Sequence, residues 1–235
     1  ACTTEYNRSH KWIDIYNRYL NHEDQGFVNT STIARIRPVI SPGYPDCDNI
    51  VFTDQIRADI FIDDWKKAER AQGDSLPDLM VLSLPNDHTA GTSPDFPVPQ
   101  AMVADNDLAV GRIIDAITHS RFWDSTVVFI TEDDSQSGWD HISPYRTTGL
   151  VISPYSVMGG RAIHTNYNQT GMVRTIEQIL GIPPMNVIDA TALPLFDCFS
   201  NEKTGYAYTY TPNIIPLNKM NKPLAELKGK EAYYA

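Results

Sequence analysis

The sequence predicts an α/β layered domain with a largely parallel sheet, and three observations carry that prediction. Short aliphatic runs at 78–84, 126–131 and 149–153 alternate with longer segments of helical period. The run Thr126-Val127-Val128-Phe129-Ile130 is β-branched and continuously apolar, the pattern of a strand buried on both faces. The runs also end in polar or proline-bearing loops, as strands do when they deliver side chains to a sheet edge.

Taken in order, residues 1–22 contain a helix, with Trp12, Ile13, Tyr16, Tyr19 and Leu20 at helical spacing. Residues 23–53 are expected to be irregular, because Pro38, Pro42 and Pro45 forbid long regular elements. Asp54 starts a helix running to about Arg70, striped by Ile56, Ile60, Phe61 and Trp65 and stopped by Gln72-Gly73-Asp74. The segment 78–84 is expected to be a buried strand. A Pro- and Gly-bearing loop follows it, and then an amphipathic helix over 102–119. Strands at 126–131 and 149–153 precede a helix over 169–180, which Gly181 and the Pro183-Pro184 pair terminate. A short helical piece near 190–199 leads into a tail expected to lie along the surface. The domain expectation is therefore a helical and proline-rich segment (1–75) packing on the core, an α/β core (76–200) and an extended C-terminal tail (201–235).

The whole chain narrows the function. Its 235 residues suffice to bury a substantial core. A formal net charge of −10, with no basic stripe, argues against a nucleic-acid partner. No apolar run approaches the ~20 residues of a membrane span. The N-terminus lacks a basic segment followed by an apolar one, so no signal peptide is read there. Three scattered cysteines permit at most one bridge and no cysteine metal cluster.

Three polar clusters sit at predicted strand ends: Asp87-His88, Asp133-Asp134 and Asp140-His141. Adjacent aspartates repel unless a cation or a proton separates them. Carboxylate and imidazole together suit zinc, manganese or iron, whereas magnesium or calcium prefers the oxygens. Each cluster alone also has an ordinary explanation as a cap or a solvated turn. Three of them in one α/β domain shift the balance towards a site.

Pro85-Asn86-Asp87-His88-Thr89-Ala90-Gly91-Thr92 resembles the signature of the phosphoesterase family that includes phospholipase C-like and acid phosphatase enzymes, within the alkaline phosphatase superfamily. The similarity continues through Asp105-Asn106-Asp107, Glu132-Asp133-Asp134, Asp140-His141, Arg146-Thr147 and the stretch Arg174 to Gly181, covering roughly 54–200. It implies a three-layer α/β/α sandwich with a mostly parallel sheet, of which this chain is the C-terminal part. It implies a metal-dependent hydrolase of phosphoric esters using a divalent ion (Zn, Mn, Mg or Ca), placed in the periplasm or secreted.

By the same resemblance, Asp133 and Asp134 bind one metal, and Asp87, His88 and His141 supply the other position. Asp140 orients His141 from behind. In the alternative assignment, His88 and His141 contact the phosphate directly. The nucleophile of the superfamily, a Ser or Thr opening a helix after a strand, has no counterpart here. Ser41 and Thr53 are candidates by residue type alone, although Thr53-Asp54 is a possible helix cap. The expected partners are thus the phosphate-ester substrate and the enzyme's own N-terminal portion or a second subunit. A non-catalytic binding or interaction domain of the same fold is the alternative.

Overall fold

A computed structural model describes residues 2–6, 11–45, 49–73, 76–135, 145–157, 161–203 and 206–230. The chain forms two compact units, one of residues 1–117 with 208–235 and one of residues 118–207.

The first unit is mainly helical. Strand β1 (Cys2–Tyr6) pairs antiparallel with β2 (Phe27–Ser31), with Cys2 opposite Ser31 and Tyr6 opposite Phe27. Between them lies α1 (Trp12–Leu20). One face of α1 turns Trp12 and Tyr16 onto Leu217 of the C-terminal segment, and the two rings stack with centroids 4.8 Å apart. The adjoining face packs Ile15 against Phe52 and Ile56. Each such buried large side chain contributes roughly 1.5–3 kcal/mol of transfer free energy. The tail is therefore part of this core at Leu217, beyond the surface role that its Tyr-, Pro- and Asn-rich composition suggests.

Helix α2 (Asp54–Arg70) begins at the expected residue because Thr53 caps it, its side chain accepting from the Gln55 backbone N–H. Helix α3 (Pro99–Thr118) opens on a proline, which suits the first turn where no N–H partner is needed. It buries Ala101, Met102, Asp105, Ala109, Ile113, Ile114 and Ile117. The strand expected at 78–84 does not form. That segment is extended without strand pairing among the described residues, and Leu79 (50%) and Val81 (88%) are exposed. Its apolar side chains satisfy the period rule, but an extended segment becomes a strand only against a neighbour's backbone.

The second unit holds β3 (Val128–Thr131) and β4 (Gly149–Ile152), paired antiparallel with Val128 opposite Ile152 and Thr131 opposite Gly149. Both strand pairs of the described residues are antiparallel, so the architecture is mixed helix and small sheet, compatible with α/β. The largely parallel sheet expected from the alternation finds no parallel pair there. Helix α4 (Gln169–Leu180) is capped by Asn168, which accepts from Gly171 N–H at 2.8 Å, and ends on Gly181 at φ 68°. Helix α5 (Val187–Thr191) follows, started by a capping box of Asn186 and Asp189.

Gly171 is where α4 meets the chain after α5. A Cβ there would lie 2.5 Å from the Leu193 carbonyl oxygen. Thr175, one turn on, accepts the Leu195 N–H at 2.8 Å and blocks retreat. Gly171→Ala should therefore destabilise the chain by about 1–3 kcal/mol despite alanine's better helix propensity. A urea melt showing an unchanged midpoint would refute this packing.

Candidate functional site

The signature segment after 78–84 becomes a single tight turn rather than an open loop. Pro85–His88 forms one 3-10 turn, and its anchor is Asn86, fully buried. Two acids hold that residue. The Asn86 backbone N–H donates to Asp54 Oδ2 at 3.1 Å, and its side-chain amide donates to Asp105 Oδ2 at 2.5 Å. Asn106 adds a further tie, donating to the Leu84 carbonyl at 2.6 Å and to Asp54 Oδ2 at 3.2 Å.

Asp105 is the hub of this interior network. It accepts the Thr53 hydroxyl at 2.6 Å, the Asp54 N–H at 2.7 Å and the Gln55 amide at 2.9 Å. Thr53, Asp54, Gln55, Arg57 and Asp105 are all buried. Arg57 compensates the charge by donating to Asp54 Oδ1 at 3.1 Å and to the carbonyls of Phe52 and Asn49. Burial pushes the Asp54 carboxyl up to about 7, and the neighbouring Asp105 charge acts in the same direction. Arg57, the Asn86 N–H and the Asn106 amide pull it back.

Periodicity treats these residues as helix caps or helix faces, and neither Asp105 nor Asp54 stands among the expected site residues. A signal was present nonetheless: Asp105 occupies the inward stripe of α3 with Ala101 and Ala109, four residues to either side. An ionisable group at such a position is rare without paired partners. Arg57 likewise is fully buried, not solvated.

Above this anchor the turn presents Asp87, partly buried, and His88, exposed. His88 Nδ1 lies 3.2 Å from the Thr89 carbonyl oxygen. A carbonyl can only accept, so Nδ1–H is the donor in this contact and Nε2 is the ring nitrogen left for a metal or a phosphate oxygen.

Asp133 and Asp134 lie in the second unit, exposed, in the loop that leaves β3. The loop is pinned from the start of α4: the Gln169 amide donates to the carbonyls of Glu132 and Asp133, each at 2.7 Å. The Glu132 N–H donates to the Thr148 carbonyl at 3.1 Å. Asp133 Oδ1 accepts the Asp134 N–H at 2.9 Å. Asp140, His141 and Trp139 lie outside the described residues. His164 is exposed ahead of α4, and Arg174 on α4 pairs with Glu177 at 3.3 Å.

The divalent metal that the resemblance implies can be tested against these donors. Such an ion takes four to eight ligands depending on its kind, roughly. Among the described residues no group of three or more His, Cys, Asp or Glu side chains is gathered to hold one. The exposed carboxylates of Asp133 and Asp134 have the right chemistry for part of such a set.

Neither nucleophile candidate has the needed setting. Thr53 is fully buried and donates its hydroxyl to Asp105, so no substrate reaches it. Ser41 sits in a turn closed by Tyr44 N–H, away from any helix start. No helix among the described residues is long and apolar enough to cross a membrane. Compared with known families, residues 53–183 match the model described as Phosphoesterase family. No curated protein and no solved structure matches the chain.

Proposed function

The chain belongs to the Phosphoesterase family, and from that premise we propose that it acts in metal-dependent hydrolysis of phosphoric esters. The observation that carries the proposal is that residues 53–183, the matched region, contain all three polar clusters, two acid–histidine pairs and one pair of acids. Asp133 and Asp134 hold the metal in this reading, and Asp87, His88 and His141 complete the site, with Asp140 steadying His141. The metal, when bound, would neutralise charge on the non-bridging phosphate oxygens and lower the pKa of the attacking group. His88, protonated on Nδ1, offers Nε2 either to that metal or, when charged, to the phosphate or leaving oxygen.

The attacking group belongs to a portion outside this sequence, either the enzyme's own N-terminal part or a second subunit. The exposed Leu79 and Val81 support such a partner, because a neighbouring strand pairing with 78–84 would bury them and make that segment the strand a three-layer, mostly parallel sandwich requires. A periplasmic or secreted location belongs to the same proposal.

Equilibrium dialysis of the chain against Mn²⁺ or Zn²⁺, with p-nitrophenyl phosphate turnover measured alone and with the missing portion, tests it. Asp133→Asn should weaken metal binding about a hundredfold, equal to ~2.8 kcal/mol. Neither metal uptake nor turnover in the complete protein would leave a non-catalytic binding domain as the correct reading.

A further inference from the structure

Thr89 closes the turn that carries Asp87 and His88, and its backbone lies at φ 58°, ψ 172°. That region is populated essentially by glycine, because a Cβ there collides with the residue's own backbone. A β-branched residue in it is a strained residue. Strain of this kind persists only where the surroundings over-determine the conformation.

Both flanks of Thr89 are fixed. On one side its N–H donates to the Asn86 carbonyl at 3.1 Å, and Asn86 is itself clamped by Asp54 and Asp105. On the other side the Gly91 N–H donates to Thr89 Oγ1 at 3.3 Å. The amide of Asn221, on the C-terminal segment, reaches the carbonyls of Gly91 and Ser93 at 2.9 Å and Pro97 at 3.1 Å. The tail thus ties down the loop on the far side of the strained residue, with Val98 N–H donating to the Lys219 carbonyl at 2.8 Å.

The strain has a specific consequence. The ψ of Thr89 sets the direction of its carbonyl, and that carbonyl is the partner of His88 Nδ1. We propose that Thr89 is a positioning residue for His88: its backbone, held in a glycine-type conformation between two anchored flanks, aims the carbonyl that fixes the imidazole tautomer and presents Nε2 to the phosphate site. The proposal rests on the reading of His88 given above. Releasing the Asn221 flank would let the strained Thr89 relax, its carbonyl turn away and the ring exchange tautomers, without touching either acid cluster.

Comparing Thr89→Ala with Thr89→Gly in the full chain separates backbone strain from side-chain loss. Both variants lose the hydroxyl, but only glycine removes the Cβ and so releases the strain. The expected result is a melting temperature for Thr89→Gly about 2–4 °C above that of Thr89→Ala. The His88 ring, followed by long-range ¹⁵N–¹H correlation where the imidazole is neutral, should stay Nδ1-protonated in Thr89→Gly, which takes this conformation without strain, and become a tautomer mixture in Asn221→Ala, which frees the far flank and lets Thr89 relax. With the complete protein and p-nitrophenyl phosphate, kcat should fall tenfold or more in Asn221→Ala relative to Thr89→Gly, with little change in KM. Equal melting temperatures for the two Thr89 variants, or an unchanged tautomer in Asn221→Ala, would overturn the proposal. An inactive wild type would overturn the hydrolase reading alone, since the tautomer and the melting temperature are read without turnover.

Discussion

Asp105→Ala is expected to cost about 3–5 kcal/mol of stability, a large share of what a domain possesses. Four donors lose the carboxylate at once: the Thr53 hydroxyl, the Asp54 N–H, the Asn86 amide and the Gln55 amide, of which only the last keeps an acceptor, the Asp105 backbone carbonyl at 2.7 Å. All four belong to buried residues, where water cannot replace the carboxylate. An unsatisfied buried donor costs about 1–3 kcal/mol. One relief opposes the loss, since removing the Asp105 charge lets Asp54 ionise more easily beside Arg57. Four donors against one relieved repulsion leave the variant well below wild type. Urea unfolding followed by tryptophan fluorescence measures it, and a loss under about 1 kcal/mol would mean that the hub is dispensable.

The second large effect is a dependence of stability on pH that runs opposite to that of an ordinary acid. Asp54 sits near 3.8 when exposed and is pushed up to about 7 in the fold, first by burial and then by Asp105. The folded chain therefore binds more protons than the unfolded chain between these values, and stability falls as pH rises from about 4 to about 7. The slope approaches 1.4 kcal/mol per pH unit for one proton. Asp197 is not the source, because the Thr165 and Tyr167 hydroxyls hold its carboxyl below the usual range, so its contribution is lost only in more acidic solution. The difference between wild-type and Asp54→Asn stability, measured across pH 4 to 8, isolates the effect. Asp54→Asn removes the titrating carboxyl and leaves Arg57 its contacts to the Phe52 and Asn49 carbonyls, so its curve should be flatter. Parallel curves would show that Asp54 does not titrate in this window.

Part of this molecule was readable residue by residue. The span of α4 was legible because Asn168, the apolar period and Gly181 act within a few residues of one another. The acid pair Asp133-Asp134 was legible as the polar end of an apolar run, and β3 and its loop put it there. Asp54 and Asp105 were not legible as partners, because nothing within a turn of either announces a contact across 51 residues of chain.

The sequence by itself determined the longer helices, the Thr53 start, the Gly181 stop and the family, since those depend on local period, local hydrogen bonds and the order of motifs, whereas the helical piece expected near 190–199 forms instead at Val187–Thr191. Tertiary structure alone decided three things: that 78–84 forms no strand pairing among the described residues, that β3 and β4 run antiparallel, and that the turn bearing His88 stands on two buried carboxylates. Each is a contact between distant residues, and chain pattern states what a segment is able to pair with, not which partner it meets.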